Sequence, residues 1–168
     1  MENRFVEKLR GLSPLNSADV AALRAATLAP RTVAARRDLI REGDRPGPVF
    51  VVLEGWACRY KILPNGTRQV LALLMPCDSC DLHVGLLAEM DHSIQTITPA
   101  SVATIDREAM DAIMDTHRGV AKAMYSARLI DEGHASLDHQ HGTAGEHRAC
   151  GSFDVRTLSQ SPQHRPGV

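Results

Sequence analysis

Two cysteines separated by two residues carry the first chemical signal in the chain. Cys77 and Cys80 have the spacing of half a zinc site or of a redox pair, and Asp81 and His83 follow as further candidate ligands. The chain has no second pair at this spacing, and one pair supplies only half of a closed tetrahedral site. A free thiol can equally pack as a small apolar residue. The sequence therefore leaves a thiol- or metal-responsive role open for these cysteines.

These residues follow a stretch, from Asp38 to Pro76, that has the pattern of short strands joined by turns. Val49–Leu53 is a β-branched and aromatic run that ends at Glu54-Gly55. Pro64-Asn65-Gly66-Thr67 predicts a hairpin turn, because Asn and Gly tolerate positive φ at little cost. Strands at this spacing, with this turn chemistry between them, predict an all-β barrel or sandwich.

Helical patterns flank the strands. The predicted organisation is N-terminal helices over residues 1–30, a barrel over 31–106, C-terminal helices over 107–132 and a tail over 133–168. The last helix carries an apolar stripe formed by Val120, Ala123, Met124, Ala127 and Ile130. A helical face alone does not name its partner, so this stripe either pairs with a second copy or packs on the barrel.

Composition excludes several classes of protein. A hydrophobic fraction of 43% in 168 residues supports a folded core, and a net charge of −1 lacks the basic signature of nucleic-acid binders. No apolar run approaches the roughly 18–20 residues of a membrane span, and the first residues lack the apolar core of a signal peptide. We therefore expect a cytoplasmic protein, outside the membrane, with reduced cysteines.

Several motifs in the barrel resemble one family. Asp38–Asp44, Val52–Gly55, Leu63–Gln69 and Pro76–Asp78 together resemble the cyclic-nucleotide-binding-like sensory domain of Crp/Fnr transcription regulators. The resemblance implies a jelly-roll barrel (a double-stranded β-helix) with flanking helices and a long dimerisation helix that pairs two subunits. It also implies a small-molecule effector, which the sequence leaves unknown, and a C-terminal helix-turn-helix that reads DNA.

The nucleotide cassette of that family is altered here. By resemblance, the ligand pocket contains Asp81, Leu82, His83, His92 and Ser93. Asp81 and Leu82 stand where nucleotide binders have Gly-Glu, and His92-Ser93 stand where they have Arg-Ser. The Leu82 side chain cannot accept a hydrogen bond, and a neutral His92 is a poor substitute for a guanidinium. Cys77 replaces the usual turn glycine. We therefore expect no cofactor and no cAMP binding.

The tail over residues 133–168 has few apolar residues and is rich in His, Ser, Gln and Gly, which predicts disorder. Its metal-like histidines are His134, His139, His141 and His147. Read one nucleotide later, permitted codons for Gly133 to Leu158 encode an amphipathic helix that resembles the start of the family's DNA-binding domain. We therefore expect that a frameshift near Gly133 replaced this domain, and discount the histidine cluster. The alternative is a natural stand-alone sensory domain with a disordered tail.

The sequence therefore predicts the sensory and dimerisation part of a Crp/Fnr-type regulator, which is not an enzyme and binds DNA only in a full-length, in-frame relative. A cupin-type metalloenzyme would need His or Glu ligands on facing strands, and Asp38–Met75 contains no histidine. The alternative is a stand-alone thiol- or metal-responsive module centred on Cys77 and Cys80.

Overall fold

The computed structural model describes residues 3–80, 82 and 88–137, with side chains described as far as residue 130. Within these residues, eight strands lie between two pairs of helices, in the order predicted from the sequence. The helices are α1 (Arg4–Arg10), α2 (Ser17–Ala26), α3 (Arg107–Thr116) and α4 (Arg118–Leu137). The strands are β1 (Arg31–Val33), β2 (Asp38–Ile40), β3 (Val49–Glu54), β4 (Ala57–Ile62), β5 (Arg68–Leu74), β6 (Ser79–Cys80), β7 (Ser93–Thr96) and β8 (Ala100–Ile105).

The strands form two four-stranded antiparallel sheets. The strand order is β1-β8-β3-β6 in the first sheet and β2-β7-β4-β5 in the second. Consecutive strands β3 and β4 lie in different sheets, as do β7 and β8, so the chain crosses repeatedly between the sheets. Two antiparallel sheets joined in this way are the jelly-roll arrangement. The predicted fold class, a mainly β jelly roll with flanking helices, is confirmed.

Glycines set two of the connections. At Gly55, between β3 and β4, φ is +82° and a Cβ would lie 2.3 Å from the carbonyl oxygen of Pro99, so only glycine fits. In the β4–β5 hairpin, Gly66 has φ +80°. The Asn65 side chain there accepts a hydrogen bond from the Thr67 amide at 3.0 Å. The hairpin predicted at residues 64–67 is confirmed.

Apolar side chains form two cores on the two faces of the β1-β8-β3-β6 sheet. Along β3, Val49 and Val51 pack with the helices, whereas Phe50 and Val52 pack inside the barrel. Burial on both faces explains why this strand is apolar throughout instead of alternating. The helix-side core consists of Phe5, Val6, Leu9, Val20, Leu23, Val49, Val51, Leu82, Ala103, Ile105, Met110, Val120, Ala123, Met124 and Ala127. The barrel core consists of Val33, Ile40, Phe50, Val52, Ala57, Leu74, Cys80, Met90, Ile94, Ala100 and Val102.

The apolar stripe of α4 divides between this core and solvent. Four of its members are buried in the chain's own helix-side core, namely Val120, Ala123, Met124 and Ala127. Ile130 is 45% exposed and lies near two further exposed apolar residues, Tyr125 at 49% and Leu129 at 69%. Of the two placements the sequence left open, packing within the chain holds for most of the stripe. Among the α4 side chains described, up to residue 130, the large apolar ones that stay exposed are Tyr125, Leu129 and Ile130.

Some element boundaries differ from those predicted. The last helix begins at Arg118 and continues past the predicted end at Glu132 to Leu137. Asp106 lies at the N-cap of α3, but its side chain makes no capping hydrogen bond. Strand β6 was not predicted, because two residues carry no periodicity. It forms through pairing with β3, where Cys80 lies opposite Phe50.

Candidate functional site

The inner face of the β2-β7-β4-β5 sheet presents one row of side chains to the barrel interior. Ile40 pairs with Ile94, Ile94 pairs with Arg59, and Arg59 pairs with Ala72, so the row crosses four strands. Ile40 and Ile94 belong to the barrel core, as does Ala57, which lies two residues before Arg59 on β4. Because alternate residues of a strand share a face, Arg59 is the cationic member of an inner row whose other members, Ile40, Ile94 and Ala72, are apolar.

A depression opens beside this row, where β2 and β3 meet the turn between them. Its volume is about 320 Å³, within the range of small-molecule sites. Ile40 and Phe50 join the depression to the barrel core. Its lining residues are Leu39, Ile40, Asp44, Arg45, Gly47, Pro48 and Phe50. The depression therefore combines apolar side chains of the barrel core with two charged residues, Asp44 and Arg45.

His92 and Ser93, two of the predicted pocket residues, make different contacts. His92 is 6% exposed and its Nδ1 lies 2.7 Å from Asp91 Oδ1. This hydrogen bond from His92 lowers the pKa of the Asp91 carboxyl below its usual value. Ser93 Oγ accepts a hydrogen bond from the Glu42 amide at 2.9 Å. The hydroxyl thus holds the β2–β3 turn against β7, so it already has a structural partner.

Leu82 belongs to the helix-side core and is 8% exposed. Its carbonyl oxygen accepts a hydrogen bond from Arg107 Nη1 at 3.3 Å, and Arg107 Nε donates to the carbonyl oxygen of Gly47 at 3.1 Å. Arg107 therefore joins the first turn of α3 to two barrel loops. Asp81 and His83, the neighbouring predicted pocket residues, lie outside the residues that the structure describes.

The two cysteines predicted as a thiol or metal pair pack in different cores. Cys80 is fully buried in the barrel core on β6, whereas Cys77 is partly buried against the helix-side core. In the described ranges, no group of three or more His, Cys, Asp and Glu side chains is arranged to hold a metal ion. Asp81 and His83 lie outside the described residues, so the role of the pair stays a prediction.

The turn that contains Cys77 is held by its neighbour Asp78. Cys77 has φ +77°, a left-handed conformation that favours glycine, which agrees with its place at the usual turn glycine. Asp78 Oδ2 accepts from the Met75 amide at 2.8 Å, and Asp78 Oδ1 lies 2.5 Å from Lys8 Nζ. Asp78 is 5% exposed, so this ion pair joins α1 to the β5–β6 turn through a buried carboxylate and a partly exposed Lys8.

The outer face of the β2-β7-β4-β5 sheet has a polar network around Cys58. Arg68 Nη2 donates to Cys58 Sγ at 3.1 Å, and its guanidinium lies 3.8 Å from the centre of the Tyr60 ring. Gln95 Nε2 and Tyr60 Oη donate to Asp38 Oδ1 at 2.8 Å and 3.2 Å. Burial raises the pKa of the Cys58 thiol, while the nearby Arg68 opposes that shift. The thiol is therefore kept in its unreactive protonated form.

Sequence reasoning missed Arg59 as a candidate site residue. Strict alternation through Ala57, Arg59 and Lys61 would have placed all three on one face, but nothing local marked that face as the inner one.

None of the helices in the described part of the chain is both long enough and apolar enough to cross a membrane.

Residues 30–117 match the family model of the cyclic nucleotide-binding domain. The match covers more than half of the chain and coincides with the barrel and α3. The chain belongs to the cyclic nucleotide-binding domain family. No curated protein sequence is significantly similar to this chain.

Solved structures share the fold at low sequence identity. The regulator CLP of Xanthomonas campestris, described as responsive to c-di-GMP, aligns over 73% of this chain and 60% of its own, with 17% identity and a TM-score of 0.63. FixK2 of Bradyrhizobium japonicum aligns over 66% and 55%, with 20% identity and a TM-score of 0.56. The sensor domain of the transcriptional regulator DNR from Pseudomonas aeruginosa aligns over 86% and 95%, with 15% identity and a TM-score of 0.61. The chain thus spans less than two thirds of the first two proteins and almost all of the isolated sensor domain.

Proposed function

We propose that this chain is the sensory domain of a cytoplasmic Crp/Fnr-type transcription regulator, and acts by binding a small-molecule effector rather than by catalysis. The observation that carries the proposal is the match of the cyclic nucleotide-binding domain to the barrel, which has a depression beside Ile40 and Phe50 of its core. The similarity in fold to the DNR sensor domain supports the same reading.

The effector of this barrel differs from cAMP. In the family, a cassette arginine pairs with the cyclic phosphate, and here His92 occupies that place beside its own carboxylate partner, Asp91. A hydrogen bond to a charged group contributes about 1.5–3 kcal/mol, so a phosphate deprived of two such bonds binds roughly a hundredfold or more weakly. Leu82, packed in the helix-side core, offers no acceptor to a ribose hydroxyl.

Calorimetric titration with cAMP tests this part. We expect no saturable binding to the wild-type chain at submillimolar cAMP and a gain of affinity in His92→Arg. His92→Gln, which has similar polarity but no charge, is the matched control and should stay inactive. Micromolar binding of cAMP to the wild-type chain would contradict the proposal.

The signal leaves the barrel through the helix-side core. One apolar cluster joins the barrel residues Val49, Val51 and Ala103 to Met124 and Ala127 of α4. A change in the position of the sheet therefore moves side chains that pack against the helix. A ligand shifts such an equilibrium only by its difference in affinity for the two states. Hydrogen exchange of α4 amides, with and without a bound ligand, checks the coupling. Unchanged protection at saturation would count against a sensory role.

We further propose that α4 pairs two copies of the chain through Tyr125, Leu129 and Ile130, the apolar side chains it leaves exposed. Residues 133–168 are, in this proposal, the out-of-frame remnant of the DNA-binding domain that follows the pairing helix in the family. The nucleotide sequence downstream of the Glu132 codon tests this second point. The absence of a helix-turn-helix in the neighbouring frame would contradict it.

A further inference from the structure

Arg59 is placed inside the barrel by its strand register. It lies between Ile94 of β7 and Ala72 of β5, and Ile94 is fully buried in the barrel core. The Nε atom of Arg59 is itself buried. The alternate residues of β4, Cys58 and Tyr60, instead belong to the polar network on the outer face. Arg59 as a whole is partly exposed and makes contacts within the protein, so its side chain lies at the inner wall with part of its surface accessible.

A β-bulge lies directly beside Arg59. Arg59 pairs with Ala72, but the next pair is Tyr60 with Val70, so Leu71 is the additional residue on β5. Bulges of this kind change the direction of a strand and of its side chains, and they are enriched next to functional sites. Here the bulge separates the inner row that contains Arg59 from the exposed end of the β4–β5 hairpin.

Arginine is chemically suited to recognise acids. Its guanidinium has five N–H donors in a rigid fork that matches a carboxylate or a phosphate. A protein contact that uses some of these donors therefore still leaves others for a ligand. The inner row around Arg59 is otherwise apolar, with Ile94, Ile40 and Ala72 on one wall and Phe50 across the barrel. A ligand that satisfies both features has an apolar body and one acidic group.

We propose that Arg59, on β4, binds the acidic group of the effector inside the barrel, in the part that the cassette arginine plays in nucleotide-binding relatives. This inference rests on the proposed sensory function, because it names the ligand class of the same barrel. The ligand is a small apolar molecule with a carboxylate or a phosphate. The charge that holds it comes from the sheet wall and not from the loop between β6 and β7.

Two dyes with a common apolar body test the assignment. Anilinonaphthalene sulfonate carries an anionic group, and N-phenylnaphthylamine is its neutral counterpart. Both are titrated by fluorescence into the full chain, its Arg59→Gln and Arg59→Lys variants, and the exposed-residue control Arg24→Gln. Near-ultraviolet circular dichroism and thermal unfolding confirm that each variant is folded.

We expect Arg59→Gln to bind the anionic dye about ten- to a hundredfold more weakly while the neutral dye binds as before. Arg59→Lys should be intermediate, and Arg24→Gln should match the wild-type chain. Displacement of the anionic dye by octanoate identifies a carboxylate ligand, and displacement by inorganic phosphate identifies a phosphate.

Three results would overturn the assignment. The first is equal affinity of Arg59→Gln and the wild-type chain for the anionic dye, and the second is an equal loss of affinity for both dyes in Arg59→Gln. The third is failure of every acid to displace the anionic dye from the wild-type chain. If the neutral dye still binds saturably and alters the exchange of α4 amides, the sensory function stands without Arg59. If neither dye binds the wild-type chain, both proposals fall.

Discussion

Replacing Leu129 with glutamine tests whether α4 pairs two copies of the chain. Leu129 is 69% exposed in the single chain, and burial of a whole leucine side chain contributes about 1.5–3 kcal/mol. Burying the exposed share at an interface is therefore worth roughly 1–2 kcal/mol per copy. A twofold interface contains the residue twice, so the variant should lose roughly 2–4 kcal/mol of dimer stability. At 1.4 kcal/mol per factor of ten, the dimer Kd should rise about 30- to 700-fold.

Sedimentation equilibrium measures this change directly. Glutamine and leucine have similar helix propensities, so the helix itself should be unaffected in Leu129→Gln. Glu108→Gln, an exposed change on α3, is the control and should dimerise as the wild-type chain does. Met124→Ala should lower the stability of the single chain, because Met124 is buried in its own core. A wild-type chain that stays monomeric at tens of micromolar, or a Leu129→Gln variant with unchanged Kd, would refute the pairing surface.

Three further predictions concern local chemistry. Cys77→Gly should raise the free energy of unfolding in urea by up to about 1 kcal/mol. The reason is that glycine removes the strain of the left-handed φ, about 1–2 kcal/mol, which exceeds the cost of the larger conformational entropy of glycine in the unfolded chain. A loss of stability would contradict this. Gly119→Ala should lower the free energy of unfolding by about 1–2 kcal/mol despite the helix preference of alanine, because the new Cβ would lie 2.6 Å from Asp19 Oδ2. The control Gly47→Ala should be neutral, because its new Cβ would make only an ordinary contact, at 3.9 Å. Burial raises the pKa of Cys58 above 9.0, so the stability that the protonated thiol contributes is complete below pH 9.0 and is lost as the pH rises through the higher pKa of the folded state. In urea titrations at alkaline pH, the free energy of unfolding should therefore decline less for Cys58→Ala than for the wild-type chain. Equal declines would refute the assignment.

Local chemistry allowed an all-β barrel or sandwich with flanking helices to be predicted before any contact was known. Asn65-Gly66 imposes a hairpin by its own backbone preferences, and Asn16 caps α2 through a reciprocal hydrogen bond with Asp19, three residues away. The apolar run of β3 and the apolar stripe of α4 likewise arise from residue type and spacing. Such signals act within a few residues, so the sequence alone contains them.

The site depended on pairings between distant residues. Strand β6 exists because Ser79 and Cys80 meet β3, and this pairing puts Cys80 in the barrel core while Cys77 remains with the helix-side core. His92 and Ser93 are adjacent in sequence but have separate partners.

The sequence by itself determined the turn-linked strands and the helices that flank them, since each follows from short-range preferences of the backbone and side chains, and the resemblance to the family added the jelly roll. Only the tertiary structure decided which strand face is the interior and which side of α4 is covered. Those choices placed Arg59 inside the barrel and Leu129 in solvent. The physical reason is that a strand or helix fixes only the relative positions of its own side chains, and packing against other elements determines which face is buried.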